Sequence, residues 1–166
     1  MADDYLHFSF ALGITKKEKE WLLDLWDGLS RFGNDSKTKS PLVREFLKQD
    51  RSLKSEVEEG SIDSIEMHIE KVVRGAEVVF YTEQAGSPWL AGQFVRFFFR
   101  KNRAGKHCAV GFTWSETCNV MRPDHFGGGG VFVTEDKVET LSAWGWVEKM
   151  MVDHNKKQNR KTRKRR

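Results

Sequence analysis

The stretch Trp114-Ser-Glu-Thr-Cys-Asn-Val-Met-Arg-Pro-Asp-His-Phe-Gly-Gly-Gly-Gly-Val-Phe-Val-Thr134 organises the chain. It contains the chain's only run of four glycines and an Arg122-Pro123 pair that interrupts regular structure. Strand-like alternation flanks it on both sides, which predicts a long connection between two strands. Long connections in compact domains are usually functional or disordered, and this one is rich in specific side chains. The sequence therefore predicts a functional loop over residues 114–131.

The segments around this loop predict an α+β fold. Period-two alternation predicts strands at residues 5–12, 107–114, 131–134 and 138–141, and a hairpin over 64–82. Helices are predicted after a Thr15–Glu18 capping box and after Ser40, Ser87 and Ser142. Residues 48–61 are largely charged and predict no clear element beyond a fraying helix. The order predicts an antiparallel sheet with helices on one face, built on a ferredoxin-like split β-α-β core with an additional C-terminal hairpin strand and helix.

Length and composition predict one domain over residues 1–154. A chain of 166 residues with 39% hydrophobic residues is large enough to bury a core. No apolar run approaches the roughly 20 residues that a bilayer-spanning helix needs, and the N-terminus lacks a secretory pattern. Cys108 and Cys118 alone do not form a disulfide framework. We therefore expect a cytoplasmic protein without a membrane partner.

The net charge of +4 combines two unlike parts. Residues 155–166 contain eight Lys or Arg and no acid, whereas residues 1–154 contain twenty Lys or Arg against twenty-four Asp or Glu. The charge pattern predicts an acidic body with a disordered basic tail, which is typical of arms that bind polyanions. The candidate nucleic-acid-binding residues are Lys156, Lys157, Arg160, Lys161, Arg163, Lys164, Arg165 and Arg166.

The loop provides two sets of candidate site residues. As a ligand- or partner-binding surface it would use Trp114, Glu116, Arg122, Asp124, His125 and Phe126. As a catalytic loop it would use Cys118 as nucleophile and His125 as its base, together with Glu116 and the glycine amides as an oxyanion site. A small cysteine beside tryptophan is also a common core residue.

Metal and phosphate sites are not predicted, and we expect no cofactor. His107 and Cys108 are adjacent on a strand and face opposite sides, so they do not readily join Cys118 and His125 around one ion. The chain also lacks a Cys-x-x-Cys pair. The glycine run lacks the Lys-Ser/Thr of a phosphate loop and precedes a strand. Its expected role is conformational, through positive φ and close backbone approach.

Two blocks carry a resemblance. Gly111-Phe-Thr-Trp-Ser-Glu-Thr-Cys118 and Met121-Arg-Pro-Asp-His-Phe-Gly-Gly-Gly-Gly-Val131 resemble a group of small uncharacterised bacterial and phage- or plasmid-type proteins. Those proteins share a Trp-x-x-Thr-Cys, Arg-Pro and Phe-Gly-Gly-Gly block that precedes a short strand. The resemblance extends from the helix at 87–100 to Trp146, and more loosely back to the Tyr5 strand. It implies provenance rather than a reaction, and the tail after His154 looks like an addition.

Three functional hypotheses follow. The first is a non-enzymatic binding or accessory protein of a phage or mobile element, which contacts a host or phage protein through the 114–131 loop. The first alternative is a nucleic-acid-binding protein whose affinity comes from the basic tail. The second alternative is a small enzyme that uses the Cys118–His125 pair.

Overall fold

A computed structural model describes residues 4–35, 40–73, 75–119 and 127–163. These residues form one six-stranded sheet, antiparallel throughout, with the strand order β2-β3-β1-β4-β5-β6. The predicted α+β class with an antiparallel sheet is confirmed. In chain order the elements are β1 (Asp4–Ile14), α1 (Lys16–Asp35), α2 (Pro41–Leu47), α3 (Arg51–Glu58), β2 (Glu66–Val72), β3 (Gly75–Thr82), α4 (Pro88–Asn102), β4 (Ala109–Cys118), β5 (Gly127–Thr134), β6 (Val138–Ser142) and α5 (Ala143–Arg163).

The helices begin where the sequence places capping side chains. The Thr15 hydroxyl accepts from the Glu18 backbone N–H at 3.3 Å, and the Glu18 carboxylate accepts from the Thr15 N–H at 2.8 Å. The Ser87 hydroxyl accepts from Leu90 N–H at 3.1 Å in the first turn of α4. Each contact satisfies a backbone donor that a helix start leaves without an intrahelical acceptor. The predicted starts of α1 and α4 are therefore confirmed.

The core lies between the sheet and the helices α1 and α4. Phe80 of β3 stacks on Phe10 of β1, with ring centroids 5.1 Å apart. On its other side Phe80 contacts Trp26 of α1 at 5.7 Å and Phe94 of α4 at 5.5 Å. Both helices therefore pack on the face of the sheet that Phe10 and Phe80 share. The alternation of strand residues puts polar side chains such as Ser9 on the opposite face.

Arg103 joins the end of α4 to the start of α1. Its guanidinium donates to both oxygens of the Glu18 carboxylate, at 2.7 and 3.2 Å, and to the Gly13 carbonyl at 2.5 Å. It also lies 4.9 Å from the ring centroid of Phe98. Burial of Glu18 would raise the pKa of its carboxyl, but hydrogen bonds from Arg103 and Thr15 outweigh burial and lower that pKa.

Residues 48–61, where the sequence predicts no clear element beyond a fraying helix, contain the separately capped helix α3. The Asp50 carboxylate accepts from Ser52 N–H at 2.9 Å, which caps the first turn. Leu53 and Val57, four residues apart, are fully buried and attach the helix to the core. The intervening residues are charged or polar and hide this two-residue apolar stripe in the sequence.

The predicted loop over residues 114–131 is largely strand, so that prediction was wrong at both ends. Strand β4 continues to Cys118, and β5 begins at Gly127. The two strands pair from Ala109–Thr134 to Glu116–Gly127. Residues 120–126, which connect them, lie outside the described residues.

Helix α5 continues to Arg163 and so includes residues 155–163 of the segment predicted as a disordered basic tail. Lys and Arg are good helix formers, and positive charge near a helix C-terminus interacts favourably with the helix dipole. Lys164, Arg165 and Arg166 lie outside the described residues. Among the described helices, none has the length and apolarity required to cross a membrane.

Candidate binding surface at the open end of the β4–β5 hairpin

The glycine run forms the first half of β5, and three of its members, Gly127, Gly128 and Gly129, lie close to atoms of neighbouring strands. A Cβ atom on Gly127 would lie 2.5 Å from a Glu116 carboxylate oxygen, and one on Gly128 would lie 2.7 Å from the Trp114 carbonyl oxygen. A Cβ on Gly129 would overlap the Leu141 carbonyl oxygen and lie 2.8 Å from the Trp114 indole. The predicted close backbone approach is therefore confirmed.

The other part of that prediction, positive φ, was wrong. The glycines with positive φ in the described chain are Gly60, Gly75, Gly86 and Gly105, none of which belongs to the run. The run instead has extended backbone, and its four residues pair with β4 without interruption. Glycine is needed for space at Gly128 and Gly129, because backbone carbonyl oxygens and the Trp114 indole occupy the volume that a Cβ would fill. At Gly127 a Cβ would meet only the end of the exposed Glu116 side chain, which can move.

Two β4 side chains lie over this glycine strand on the helix-covered face of the sheet. Trp114 pairs with Gly129 and Glu116 pairs with Gly127, and opposed residues of an antiparallel pair share a face. On the other side of β4, Trp114 pairs with the buried Phe8. We call Trp114, Glu116, Gly127 and Gly129 the glycine shelf.

The shelf has an apolar part and a charged part. Trp114 is half-buried and packs against the edge of the core, so its indole is held in place. The Glu116 side chain is exposed. No described residue forms an ion pair with its carboxylate. The shelf therefore presents an aromatic surface beside a carboxylate.

The remaining loop residues of the predicted site, Arg122, Asp124, His125 and Phe126, lie outside the described residues. Cys118 is described and half-buried, and its Sγ lies 4.0 Å from the Asn119 side-chain oxygen. It shares the face of Glu116, two residues away on β4. The structure therefore brings together three of the predicted site residues, Trp114, Glu116 and Cys118, while the geometry of the catalytic pair is not described.

The metal-binding alternative finds no support among the described residues, which contain no group of three or more His, Cys, Asp or Glu side chains able to hold an ion. Cys108 packs against the core, and its Sγ lies 4.0 Å from the Lys106 carbonyl oxygen. The neighbouring His107 is exposed and has a φ of 51°. Cys108 thus packs against the core immediately before β4 begins.

The opposite face of the sheet contains a shallow depression of about 500 Å³. It is lined in part by His7, Ser9, Tyr81 and Ser115, and the His7 imidazole lies 3.3 Å from the Thr117 hydroxyl. An antiparallel sheet commonly keeps one solvated face with such side chains. We therefore assign this depression to the ordinary wet face of the sheet.

The sequence predicts a helix after Ser142 but does not predict that its apolar residues form an exposed surface. They are Trp144, Trp146, Val147, Met150 and Met151, which we call the α5 stripe, and their exposed fractions range from 39 to 62%. The Ser142 hydroxyl accepts from Gly145 N–H at 3.3 Å, which confirms the predicted cap. Spacings of three and four residues were the signal that these side chains share one side of the helix.

The α5 stripe and the glycine shelf lie at the same end of the sheet. Ser142, the last residue of β6, pairs with Gly129, which pairs with Trp114. With neighbouring strands about 4.8 Å apart, α5 begins roughly 10 Å from the Trp114 backbone.

In comparison with known proteins, no protein family, curated protein or solved structure matches this chain.

Proposed function

We propose that this chain is a non-enzymatic binding protein of a phage or mobile element, which binds a partner protein of host or phage origin on the glycine shelf. The observation that carries the proposal is the strand of glycines that leaves space for Trp114 and Glu116. Strand interiors usually avoid glycine, because it weakens them. A glycine run beside an indole and an exposed carboxylate therefore favours a shaped contact surface.

The chemistry of the shelf suits a lysine or arginine side chain of the partner. Trp114 and Glu116 are two residues apart on one strand, so their Cα atoms lie about 6.6 Å apart on the same face. A cation can lie over the indole within about 6 Å of the ring centroid while it pairs with the carboxylate. The acidic body attracts such a partner from a distance. Because packing already holds the indole, binding orders little additional structure.

The strand order supports a ferredoxin-like core as the frame of this surface. Strands β2-β3-β1-β4 are neighbours in that order, with helices between β1 and β2 and between β3 and β4. In this proposal β5, β6 and α5 are an addition to the core at the β4 edge. The shelf then lies at the junction between the core and the addition.

The proposal is tested by protein capture from a host lysate at low and high salt. We expect Trp114→Ala and Glu116→Gln to lose partner proteins that the unmodified chain retains. Phe132→Ala is the matched aromatic control, because Phe132 is 44% exposed and lies on the opposite face of β5. Glu70→Gln is the matched acidic control, on β2 at the far edge of the sheet. Equal capture by all five proteins would contradict the proposal.

The second candidate function is nucleic-acid binding, favoured by the helical conformation of the basic segment. Five Lys or Arg lie between Lys156 and Arg163, a helical length of about 10 Å. Neutralisation of phosphates by such residues gives sequence-independent, salt-sensitive affinity. Removing residues 155–166 should abolish retention of a labelled RNA or DNA oligonucleotide at low salt. Unchanged retention by the shortened chain would exclude this function for the segment.

A further inference from the structure

The α5 stripe is the largest group of exposed apolar side chains that the described chain leaves in water. Trp144 and Met151 are 61% and 62% exposed, and Trp146 and Met150 are 54% and 52% exposed. Helices that do not pack are marginally stable in water, since most helical stability comes from burial of one apolar side. A contiguous apolar surface of this kind marks an interaction site.

We infer that a second copy of this chain covers the α5 stripe, through antiparallel pairing of two α5 helices. Trp144, Val147 and Met151 follow one another at spacings of three and four residues, and Trp146 and Met150 lie four residues apart. This spacing builds a continuous seam along one side of a helix, as in paired helices. Two identical seams related by a two-fold axis are self-complementary.

Charge determines the direction of the pairing. The stripe occupies the first half of α5, and five Lys or Arg occupy the second half. Parallel pairing would bring the two basic halves together, and like charges would oppose it. Antiparallel pairing moves each basic half away from the other and towards the acidic body of the second copy, whose residues 1–154 have an excess of four acidic residues.

The length of α5 allows this arrangement. If the helices cross near Glu148, Arg160 lies about 18 Å along the axis from the crossing, at 1.5 Å per residue. The second copy's α5 begins about 7.5 Å from the crossing at Ala143, so Arg160 extends about 10 Å beyond that start.

The area and composition of the stripe fit a weak, reversible homodimer. Two half-exposed tryptophans, two methionines and a valine offer on the order of 500 Å² per copy. About 1,000 Å² in total is the lower end of specific protein interfaces. A nucleic acid would contact the basic half and leave the stripe in water.

The inference goes beyond the proposed function, since no residue of the glycine shelf takes part in the pairing. Its failure is therefore distinguishable from failure of the shelf. A Trp146→Ser/Met150→Ser chain should become monomeric and still capture a partner, whereas Trp114→Ala should lose the partner and still dimerise.

Sedimentation equilibrium of the full chain, from about 5 to 200 μM at low and high salt, tests the pairing. We expect the unmodified chain to approach twice its 19.3 kDa mass, and Trp146→Ser/Met150→Ser to remain at that mass. Phe132→Ser, an exposed aromatic outside α5, should dimerise as the unmodified chain does. Arg160→Glu/Lys161→Glu retains the whole stripe and should weaken the dimer on the order of tenfold.

Three results would overturn the inference. The first is a monomeric unmodified chain throughout this concentration range. The second is a dimer that Trp146→Ser/Met150→Ser leaves intact, which would place the interface elsewhere. The third is a dimer that Arg160→Glu/Lys161→Glu strengthens, because relief of repulsion indicates parallel helices. A monomer that instead binds vesicles of anionic phospholipid would also overturn it and identify a membrane surface as the occupant of the stripe.

Discussion

Replacing Gly129 with alanine should destabilise the protein, whereas the same change at Gly130 should not. A Cβ on Gly129 would overlap the Leu141 carbonyl oxygen of β6 and approach the Trp114 indole to 2.8 Å. The obstructing oxygen belongs to the backbone, so β6 must shift away from β5. A Cβ on Gly130 points to the other face and meets its nearest neighbour, the Phe112 carbonyl oxygen, at an ordinary 3.7 Å.

The size of the effect follows from these contacts. Overpacking a well-packed site costs about 1–3 kcal/mol, and a backbone obstruction belongs at the upper end of that range. For a domain of this length, 1 kcal/mol shifts Tm by about 2–4 °C, so Gly129→Ala should lower Tm by roughly 6–12 °C. Gly130→Ala should raise the free energy of unfolding by about 0.5–1 kcal/mol, since alanine loses less backbone entropy on folding.

Thermal unfolding followed by circular dichroism, supported by urea titration, measures both variants against the unmodified chain. The near-ultraviolet signal, to which all six tryptophans contribute, should change in Gly129→Ala through the contact with Trp114 and should be unchanged in Gly130→Ala. If Gly129→Ala were as stable as Gly130→Ala, the close packing of β4 and β6 on the glycine strand would be refuted. Lack of space for side chains would then no longer account for the glycine run.

Three further predictions concern the rest of the fold. Arg103→Ala should lower the free energy of unfolding by about 2–4 kcal/mol in urea, because it leaves the buried Glu18 carboxylate without its cation. The folded-state pKa of Glu18 is lowered, so the ionised carboxylate stabilises the fold above its ordinary pKa of 4.5. That stabilisation is lost as the pH falls through the folded-state pKa. The urea midpoints at pH 7 and pH 3 should therefore differ less in Glu18→Gln than in the unmodified chain. Asp50→Ala should lower the free energy of unfolding by about 1 kcal/mol, since it removes the α3 cap; an unchanged urea midpoint would mean that the cap contributes nothing.

Much of the fold is predictable from local signals in this sequence. Ser87 and the Thr15–Glu18 pair identify helix starts because their side chains satisfy specific backbone donors. Met67 and Ile69 alternate with polar residues, and this alternation identifies β2, because one face of the strand is partly buried and the other is exposed to solvent. Such patterns are local, so no knowledge of the tertiary structure is required to recognise them.

The features that the sequence did not predict depend on neighbours distant along the chain. Gly127–Gly130 show no side-chain period, so the sequence cannot distinguish a strand from a loop there. Their strand conformation is fixed by pairing with β4 and by the Trp114 indole. In α3, Leu53 and Val57 are too few to produce a helical pattern, and tertiary burial decides. The spacing of the α5 stripe is visible in the sequence, but the sequence does not show that residues 143–153 are all exposed.

The candidate site was predicted in part. Trp114 and Glu116 were identified from their loop-like context, and the structure places them together for a different reason, their shared face on β4. The sequence does not predict that these two side chains lie over the glycines, because a single sequence does not show where an added Cβ would clash. Cys118 was likewise predicted as a site residue from its residue type, and the sequence contains no information on its distance to the other site residues.

The most direct test of the glycine shelf is the affinity of one captured partner protein for Trp114→Ala, compared with Phe132→Ala. Isothermal titration calorimetry measures both dissociation constants under one salt condition. If the indole forms the centre of the contact, Trp114→Ala should weaken binding at least about tenfold, and Phe132→Ala should stay within about twofold of the unmodified chain. Equal affinities for the two variants would contradict the assignment of the shelf as the binding surface.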